Sequence, residues 1–421
     1  MKTQIAYGKT GLDVELPDVP FEMVEPKFIP GLPDEAQALR DALRNPIESK
    51  ALREIASSSD TIGIIFSDIT RPTPYTVILP VLLSELDHIP DRQILLFNAT
   101  GTHRKNTETE LRAMLGGDVI DRFEIIQNEA LDDDSHVHIG TTTSGNKIRI
   151  HRRFMDCDIR IPTGFIEPHL MAGFSGGGKA IMPGIASMET IMNNHSAVNV
   201  DHPNVNWGER KANPVLQEIV EAVSMVGYTF LLNVTLNREK RITAVFAGDF
   251  HAAHELGCGF VREHAMVGVS HPFDIIVTSN SGYPLDLNLY QSVKGMSAAS
   301  LIVKNGGDII IAADCWDGIP NGSEYEKMLG MAASPEELLD LVRRPGFHRP
   351  EMWQAQIHAK IILKSDVHFY SENLTDDQIA GALLKPCHDI SKTVAELVKL
   401  KGENTRICVL PEGPQTIPYL L

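Results

Sequence analysis

Short, continuous apolar runs alternate along the chain with longer segments in which apolar residues recur at helical spacing. Residues 61–66 (TIGIIF) and 93–98 (QILLFN) are two of these runs, and such runs are typical of parallel strands buried on both faces. A polar loop follows each run, and residues 75–86 and 107–115 then show the spacing of helices. This order predicts an α/β fold with a mainly parallel sheet.

The same alternation begins again after residues 268–272 (GVSHP), which we interpret as a linker. Residues 273–279 (FDIIVTS) and 307–313 (GDIIIAA) predict two more strands, with a helix near residues 289–302 between them. A length of 421 residues also suits two domains, each with its own core. We therefore predict two α/β domains with mainly parallel sheets.

Polar residues with chemical potential follow the first two predicted strands. Asp68 and Arg71 come directly after one strand, and His103 comes soon after the next. In such sheets, ligands bind beyond the carboxyl ends of the strands. Arg71 either pairs locally with Asp68 or presents its planar fork to a carboxylate or phosphate. His103 suits proton exchange near neutral pH.

Residues 161–195 form a glycine-rich stretch that also contains His169, Lys179 and His195. Because glycine is unfavourable in helices and strands, this density predicts a loop that approaches an anion closely. Residues 173–180 (GFSGGGKA) match the start of a phosphate-binding P-loop, but Ala180 stands where a Mg²⁺-binding Ser or Thr is required. The sequence thus disfavours an NTPase and leaves a phosphate cradle, with Lys179 as a point charge or nucleophile.

Composition narrows the class of partner. The formal net charge of −17 disfavours nucleic acids and anionic membranes. The five cysteines are scattered without a C-x-x-C pair, which indicates reduced thiols rather than disulfides or a thiolate metal site. The N-terminus has no apolar segment of a signal peptide, and no apolar stretch is long enough to span a bilayer. We expect a cytoplasmic protein.

Several motifs, taken together, resemble one family. They are SDITRP, ATGTHR, GFIEPHLMAGFSGGGKAIMPGIAS, MNNH, LYQSVKGM and WQAQ. Their order and spacing are similar to those of the lactate racemase family, the 2-hydroxyacid racemases and epimerases that depend on a nickel-pincer nucleotide. The resemblance spans nearly the whole chain. It implies two α/β domains with an active-site cleft between them, comprising residues 1–268 with 402–421, and residues 273–401.

The resemblance also implies roles for individual residues. The cofactor is a pyridinium-3,5-bisthiocarboxylic acid mononucleotide that binds one nickel ion. His195 resembles the protein ligand to nickel, and Lys179 resembles the lysine that forms a thioamide bond to the cofactor. The remaining implied cofactor-binding residues are Asp68, Thr70, Gly176, Gly177 and Gly178.

For the substrate, the resemblance implies paired acid/base histidines at His103 and His169. It assigns the grip on the carboxylate to Arg71 and Lys294, with help from Tyr290 and Gln291. Trp353 matches an aromatic residue at the pocket edge. One histidine removes the hydroxyl proton, hydride passes from C2 to the pyridinium ring and back to the other face, and the second histidine returns the proton.

Two alternatives and several properties stay open at this point. A zinc hydrolase would use His103, His169 and His195 as ligands, and a non-catalytic nucleotide or phosphate binder would use the glycine-rich stretch. The substrate ranges over lactate, malate, longer hydroxy acids and sugar acids. Covalent attachment at Lys179 and assembly into a homo-oligomer are equally open. The partners that we expect are the small substrate and the enzymes that make the cofactor.

Overall fold

The computed structural model describes residues 2–402 and 404–421 and divides into two compact units. We call Phe28–His195 with His202–Glu263 the N-terminal unit. The segment up to Lys27, together with Ser196–Asp201 and His264–Leu421, forms the C-terminal unit. Each unit has a six-stranded, mainly parallel sheet with helices, and the predicted α/β class is therefore confirmed.

The strands are short, as is usual for α/β proteins. In chain order they are β1 Lys2–Ile5, β2 Leu12–Glu15, β3 Phe21–Met23, β4 Ile62–Ser67, β5 Ile94–Ala99, β6 Glu124–Gln127, β7 His136–Thr141, β8 Lys147–His151, β9 Ile159–Phe165, β10 Pro168–His169, β11 Gly173–Phe174, β12 Phe230–Leu236, β13 Ile242–Asp249, β14 Met266–Val269, β15 Phe273–Ser279, β16 Val303–Ala312, β17 Ser365–Tyr370, β18 Lys385–Pro386, β19 Ile407–Leu410 and β20 Ile417–Leu420.

The α-helices connect and cover these strands. They are α1 Glu35–Arg44, α2 Leu52–Ile55, α3 Tyr75–Glu85, α4 Glu108–Leu115, α5 Gly117–Arg122, α6 Arg152–Met155, α7 Met188–Asn194, α8 Ala197–Asp201, α9 Pro214–Val226, α10 Phe250–Ala265, α11 Leu289–Ser300, α12 Glu324–Leu329, α13 Pro335–Arg343, α14 Met352–Lys364, α15 Asp376–Gly381 and α16 Ile390–Lys401. None of the helices in the described part of the chain is long and apolar enough to cross a membrane.

The sheet of the N-terminal unit has the order β13-β12-β9-β4-β5-β6, and only β13 runs antiparallel to its neighbour. Strand β4 lies inside this sheet, and its apolar side chains pack with those of α1 and α3 in one core cluster. This explains its continuous apolar sequence, because a central strand is covered on both faces. The carboxyl ends of β4 and β5 are adjacent, since Ser67 pairs with Ala99.

The sheet of the C-terminal unit has the order β18-β17-β16-β15-β19-β3, and every neighbouring pair is parallel. Its core combines apolar residues of β15, β16 and β19 with the N-terminal hairpin β1–β2, which contributes Ile5 and Val14. The first residues of the chain thus complete a core that the last residues also share.

These pairings correct the predicted domain boundaries. The prediction placed residues 402–421 in the N-terminal domain, but β19 pairs with β15 and also with β3, inside the C-terminal sheet. Residues 2–27, also predicted to be N-terminal, belong to that unit as well. The physical reason is that β15 would otherwise leave one edge of its backbone without a partner strand.

One buried carboxylate with two basic partners in the C-terminal unit yields a stability prediction. Asp308 on β16 contacts His368 at 2.9 Å and Lys401 at 2.7 Å, and it is almost fully buried. Burial alone would raise the pKa of Asp308, but the hydrogen bonds from His368 and Lys401 outweigh burial and lower it.

We expect Asp308→Asn to lower the free energy of unfolding by about 2 kcal/mol at neutral pH, because His368 and Lys401, both partly accessible to solvent, would lose the charged acceptor of their hydrogen bonds. Since the folded pKa is depressed, the difference should shrink as the pH falls below the usual value of 3.8. Urea denaturation at several pH values measures this. The exposed pair of Asp366 and Lys385 provides the control, and Asp366→Asn should change stability by less than about 1 kcal/mol.

Candidate functional site

A carboxylate and an imidazole meet at the adjacent carboxyl ends of β4 and β5. The Nδ1–H of His103 donates to Asp68 over 2.6 Å, and the hydroxyl of Thr70 donates to the other carboxylate oxygen over 2.7 Å. Asp68 is buried, whereas the His103 side chain is partly exposed. Burial alone would raise the pKa of Asp68, but the charges of His103 and Arg71 and the hydrogen bonds from His103 and Thr70 lower it overall. This ionised carboxylate orients the ring, so that the lone pair of neutral His103 lies on Nε2.

Arg71 follows in the same loop and faces a second carboxylate. Its Nε lies 3.9 Å from Glu167, and both side chains are largely buried. Glu167 itself is tied down, because its backbone N–H donates to Ser175 Oγ and its carbonyl accepts the N–H of Ser175. The charge of Arg71 acts on Asp68 by lowering its pKa. The carboxylate within ion-pair distance of Arg71 is that of Glu167.

The glycine-rich stretch does not have the structure of a P-loop. It contains a short hairpin of β10 and β11, and a 3₁₀ helix, Gly177–Ala180, stands where a P-loop would begin a long α-helix. Its glycines are needed because protein groups press against the backbone. A Cβ atom would lie 2.3 Å from the carbonyl oxygen of Glu209 at Gly173, and 2.1 Å from that of Ala180 at Gly184.

A phosphate cradle at the glycines would need backbone N–H groups that are available to an anion. The N–H of Gly177 already donates to Asn233 Oδ1 over 2.8 Å. Space behind Gly178 is also filled, since a Cβ there would lie 2.5 Å from Ile219. A role of Gly176, Gly177 and Gly178 in holding a phosphate stays a prediction, and the demand for glycine here has a sufficient cause in packing alone.

Lys179 and His195 lie close enough to influence each other electrostatically. Burial, followed by the charge of Arg71, lowers the pKa of Lys179 to about 7, although Glu167 opposes this shift. Burial, followed by the charge of Lys179, lowers the pKa of His195 to about 3. At neutral pH a substantial fraction of Lys179 is thus a neutral amine, and His195 is a neutral imidazole at the carboxyl end of α7.

His169 is buried in the β10–β11 hairpin. Its Nδ1 accepts the backbone N–H groups of Met171 and Ala172 at 3.1 and 3.2 Å. The proton of neutral His169 therefore lies on Nε2, which makes that nitrogen a donor. His103 and His169 are thus held in opposite forms, one with an acceptor at Nε2 and the other with a donor. His169 accepts a proton at Nε2 only if this turn releases Nδ1.

The other predicted site residues lie in the C-terminal unit. Asn288 caps α11 by accepting the N–H of Gln291, and all of Tyr290, Gln291 and Lys294 are buried. The indole Nε1–H of Trp353 on α14 donates to the hydroxyl of Tyr290 over 2.9 Å. The structure therefore brings Tyr290 and Trp353 together, and the buried Lys294 lies on the same helix as Tyr290.

The donor groups of the N-terminal unit fit a metal cofactor that brings most of its own ligands. Within residues 2–402 and 404–421, no group of three His, Cys, Asp or Glu side chains is arranged to hold a metal ion. His103, His169 and His195 therefore do not form the three-ligand site of the zinc alternative. A single neutral imidazole at His195 is a suitable ligand for nickel, and a neutral amine at Lys179 is a suitable nucleophile.

Three supporting residues were absent from the sequence-based prediction. Glu167 pairs with Arg71, and Asn233 and His254 contact the glycine-rich stretch from behind. Glu167 lies inside the motif IEPH, so its position offered a signal. Asn233 and His254 are distant in sequence, and only an asparagine inside an otherwise apolar strand, FLLNVTL, hinted at a buried polar contact.

Two family models match the chain. One, described as the lactate racemase N-terminal domain, matches residues 7–208, and the other, described as the lactate racemase C-terminal domain, matches residues 269–417. Together they cover most of the chain. The linker predicted at residues 268–272 coincides with the start of the second match.

Two relatives extend this finding over nearly full length. The chain is 34% identical over 420 residues to the lactate racemase of Thermoanaerobacterium thermosaccharolyticum, and the aligned residues cover 98% of each protein. It is 38% identical over 382 residues to the lactate racemase of Lactiplantibacillus plantarum, which covers 90% of both.

Solved structures agree with the sequence comparison. The lactate racemase apoprotein of T. thermosaccharolyticum superposes with a TM-score of 0.91 at 34% identity, covering 99% of this chain and 100% of that one. A protein from Thermotoga maritima superposes with a TM-score of 0.73 at 19% identity, covering 94% and 100%, and it supports the fold alone. With two matching domain models and two relatives above 30% identity, this chain belongs to the lactate racemase family.

Proposed function

We propose that this protein is an isomerase that inverts C2 of a 2-hydroxy acid with a bound nickel-pincer nucleotide. One observation carries the proposal. A carboxylate-paired imidazole, His103, lies at the same sheet edge as Arg71, whose charge reaches Lys179. Proton transfer, anion binding and cofactor attachment thus have candidate residues in one unit.

The cofactor residues follow from the donor set. We propose that His195 is the protein ligand to nickel and that Lys179 attaches the nucleotide, with Asp68, Thr70, Gly176, Gly177 and Gly178 also contacting it. When bound, the cofactor supplies a reversible hydride acceptor for C2 of the substrate. The depressed pKa of Lys179 supports attachment, because only a neutral amine is a nucleophile.

The chain itself binds the acid and moves its hydroxyl proton. Arg71 binds the substrate carboxylate through its planar guanidinium. His103 accepts the hydroxyl proton at Nε2, and Asp68 stabilises the resulting imidazolium. His169 carries its proton on Nε2. It accepts the hydroxyl proton of the opposite enantiomer there once the backbone N–H groups of Met171 and Ala172 release Nδ1. From the family resemblance we assign Lys294, Gln291, Tyr290 and Trp353 to substrate binding as well.

The first test determines the cofactor and the reaction. The protein is co-expressed with the enzymes that make the nickel cofactor, and metal analysis is combined with native and denaturing intact mass. We expect one nickel per chain and the added mass of a pyridinium mononucleotide. If the mass survives denaturation in the wild type but not in Lys179→Ala, the cofactor is attached there.

Single enantiomers of 2-hydroxy acids then reveal the activity. We expect interconversion of the two enantiomers with deuterium at C2 retained in the product. Rapid exchange of that deuterium with solvent would mean proton abstraction at C2 and would overturn the proposal. Zinc without a nucleotide mass would favour the hydrolase, and nucleotide binding without turnover would favour the non-catalytic binder.

The histidine pair gives a sharper prediction. We expect His103→Ala and His169→Ala each to abolish interconversion, because each enantiomer presents its hydroxyl to a different face and needs its own proton acceptor. Nickel content should stay at the wild-type level in both variants. Substantial turnover by either variant would remove that histidine from the assignment.

Asp68 has a separate, graded effect. We expect Asp68→Asn to lower kcat about 100-fold, because the amide keeps the shape but loses the charge that stabilises protonated His103. Steady-state kinetics at wild-type nickel content measures the change. Asp134→Asn, a charge-matched change at an exposed position of the same unit, should leave kcat within twofold of the wild type. A normal kcat in Asp68→Asn would show that His103 works without the pair.

A further inference from the structure

Two buried side chains form hydrogen bonds with the backbone of the turn at Ser175–Gly178. Asn233 is on β12, and its Oδ1 accepts the backbone N–H of Gly177 over 2.8 Å. His254 is on α10, and its Nε2–H donates to the backbone carbonyl of Ser175 over 2.9 Å. The two hydrogen bonds flank Gly176, so they fix the backbone on both sides of a single residue.

The turn fits these side chains without spare room. A Cβ atom at Gly176 would lie 2.5 Å from Asn233 Oδ1, and one at Gly177 would lie 2.7 Å from the ring of His254. Both glycines have positive φ, +70° and +51°, which other residues rarely adopt. Ser175 anchors the start of the turn, since its Oγ donates to the carbonyl of Phe165. The backbone is therefore held at three points before Lys179.

Besides these bonds, His254 has a weaker contact at 3.5 Å between its Nε2 and the sulfur of Cys258. Asn233 interrupts an apolar strand, and its Nδ2 donates to the carbonyl of the preceding Leu232. Asn233 and His254 are 1% and 8% exposed, and buried polar groups lower stability unless they are hydrogen-bonded. Burial also lowers the pKa of His254 to about 4, which keeps the ring neutral and its Nε2–H in place at neutral pH.

We propose that Asn233 and His254 are positioning residues that act through the Ser175–Gly178 turn to aim Lys179 at the cofactor. The connection is short, because the N–H of Lys179 donates to the carbonyl of Gly176, the residue between the two anchored groups. A rotation of that peptide would move the base of the Lys179 side chain directly. This inference rests on the proposed role of Lys179.

The test separates aiming from simple support of the fold. His254→Phe keeps a ring in the space but removes the donor, whereas His254→Gln restores an N–H donor. Asn233→Leu removes the acceptor at similar size, and it serves if His254→Phe does not fold. His251→Phe is the matched control, because His251 is exposed on the same helix, its backbone N–H donates to Asp249, and its ring packs edge-on against Phe250.

Amide hydrogen exchange of the full-length protein without cofactor is the first readout. We expect the peptide covering residues 175–178 to exchange about tenfold faster in His254→Phe and Asn233→Leu. His254→Gln and His251→Phe should resemble the wild type, with the melting temperature of all variants checked in parallel. Unchanged exchange in both disrupting variants would overturn the proposal, whatever activity the wild type has.

The second readout uses protein loaded with cofactor. We expect His254→Phe to lower the covalently attached fraction and kcat about tenfold with KM within twofold, since misplacement of a reacting group affects attachment and turnover more than substrate binding. His254→Gln should recover both. Faster exchange with normal attachment and normal kcat would reduce the pair to structural support. Absence of nickel and racemisation in the wild type would instead refute the proposed function, and the exchange result would still stand.

Discussion

The lack of space behind the glycine-rich stretch is the constraint on which the N-terminal unit depends. Carbonyl oxygens of Glu209 and Ala180 lie where a side chain at Gly173 or Gly184 would begin, and Asn233 and His254 occupy the space behind the residues between them. The backbone of this stretch is thereby held against β9, β12 and α10. Lys179, the single lysine of the stretch, comes directly after Gly178. Because a packed backbone cannot shift without displacing core side chains, the backbone position of Lys179 is fixed.

Charge in this unit is arranged locally against the overall sign of the protein. The chain carries a net charge of −17, yet Arg71 and Lys179 lie near each other and near Glu167, and Arg71 also lies near Asp68. The proximity of the two cations, added to burial, depresses the pKa of Lys179, while the carboxylates limit the total positive charge. An arrangement of this kind combines a permanently charged guanidinium with an amine that is partly neutral at physiological pH.

Local hydrogen bonds place the proton of His103 and the proton of His169 on different ring nitrogens. A carboxylate holds Nδ1 of His103 as a donor, and two backbone N–H groups hold Nδ1 of His169 as an acceptor. The first ring is ready to take a proton at Nε2 and the second is ready to donate there. In the proposed reaction, where His169 must also accept a proton, this asymmetry requires the hairpin around His169 to rearrange.

The sequence by itself determined the order of strands and helices, because continuous apolar runs and helical spacing reflect local burial. It located the edge where Asp68, Arg71 and His103 lie, since polar residues directly followed two buried strands, and its motifs identified the family. Only the tertiary structure decided that β3 and β19 join the C-terminal sheet, because their three and four residues carry no partner information. It also decided that packing by Asn233 and His254 demands the glycines, that Glu167 faces Arg71, and that the three histidines do not form one metal site in the described residues. These features depend on residues far apart in sequence, whose distances are set only when the sheet and helices pack.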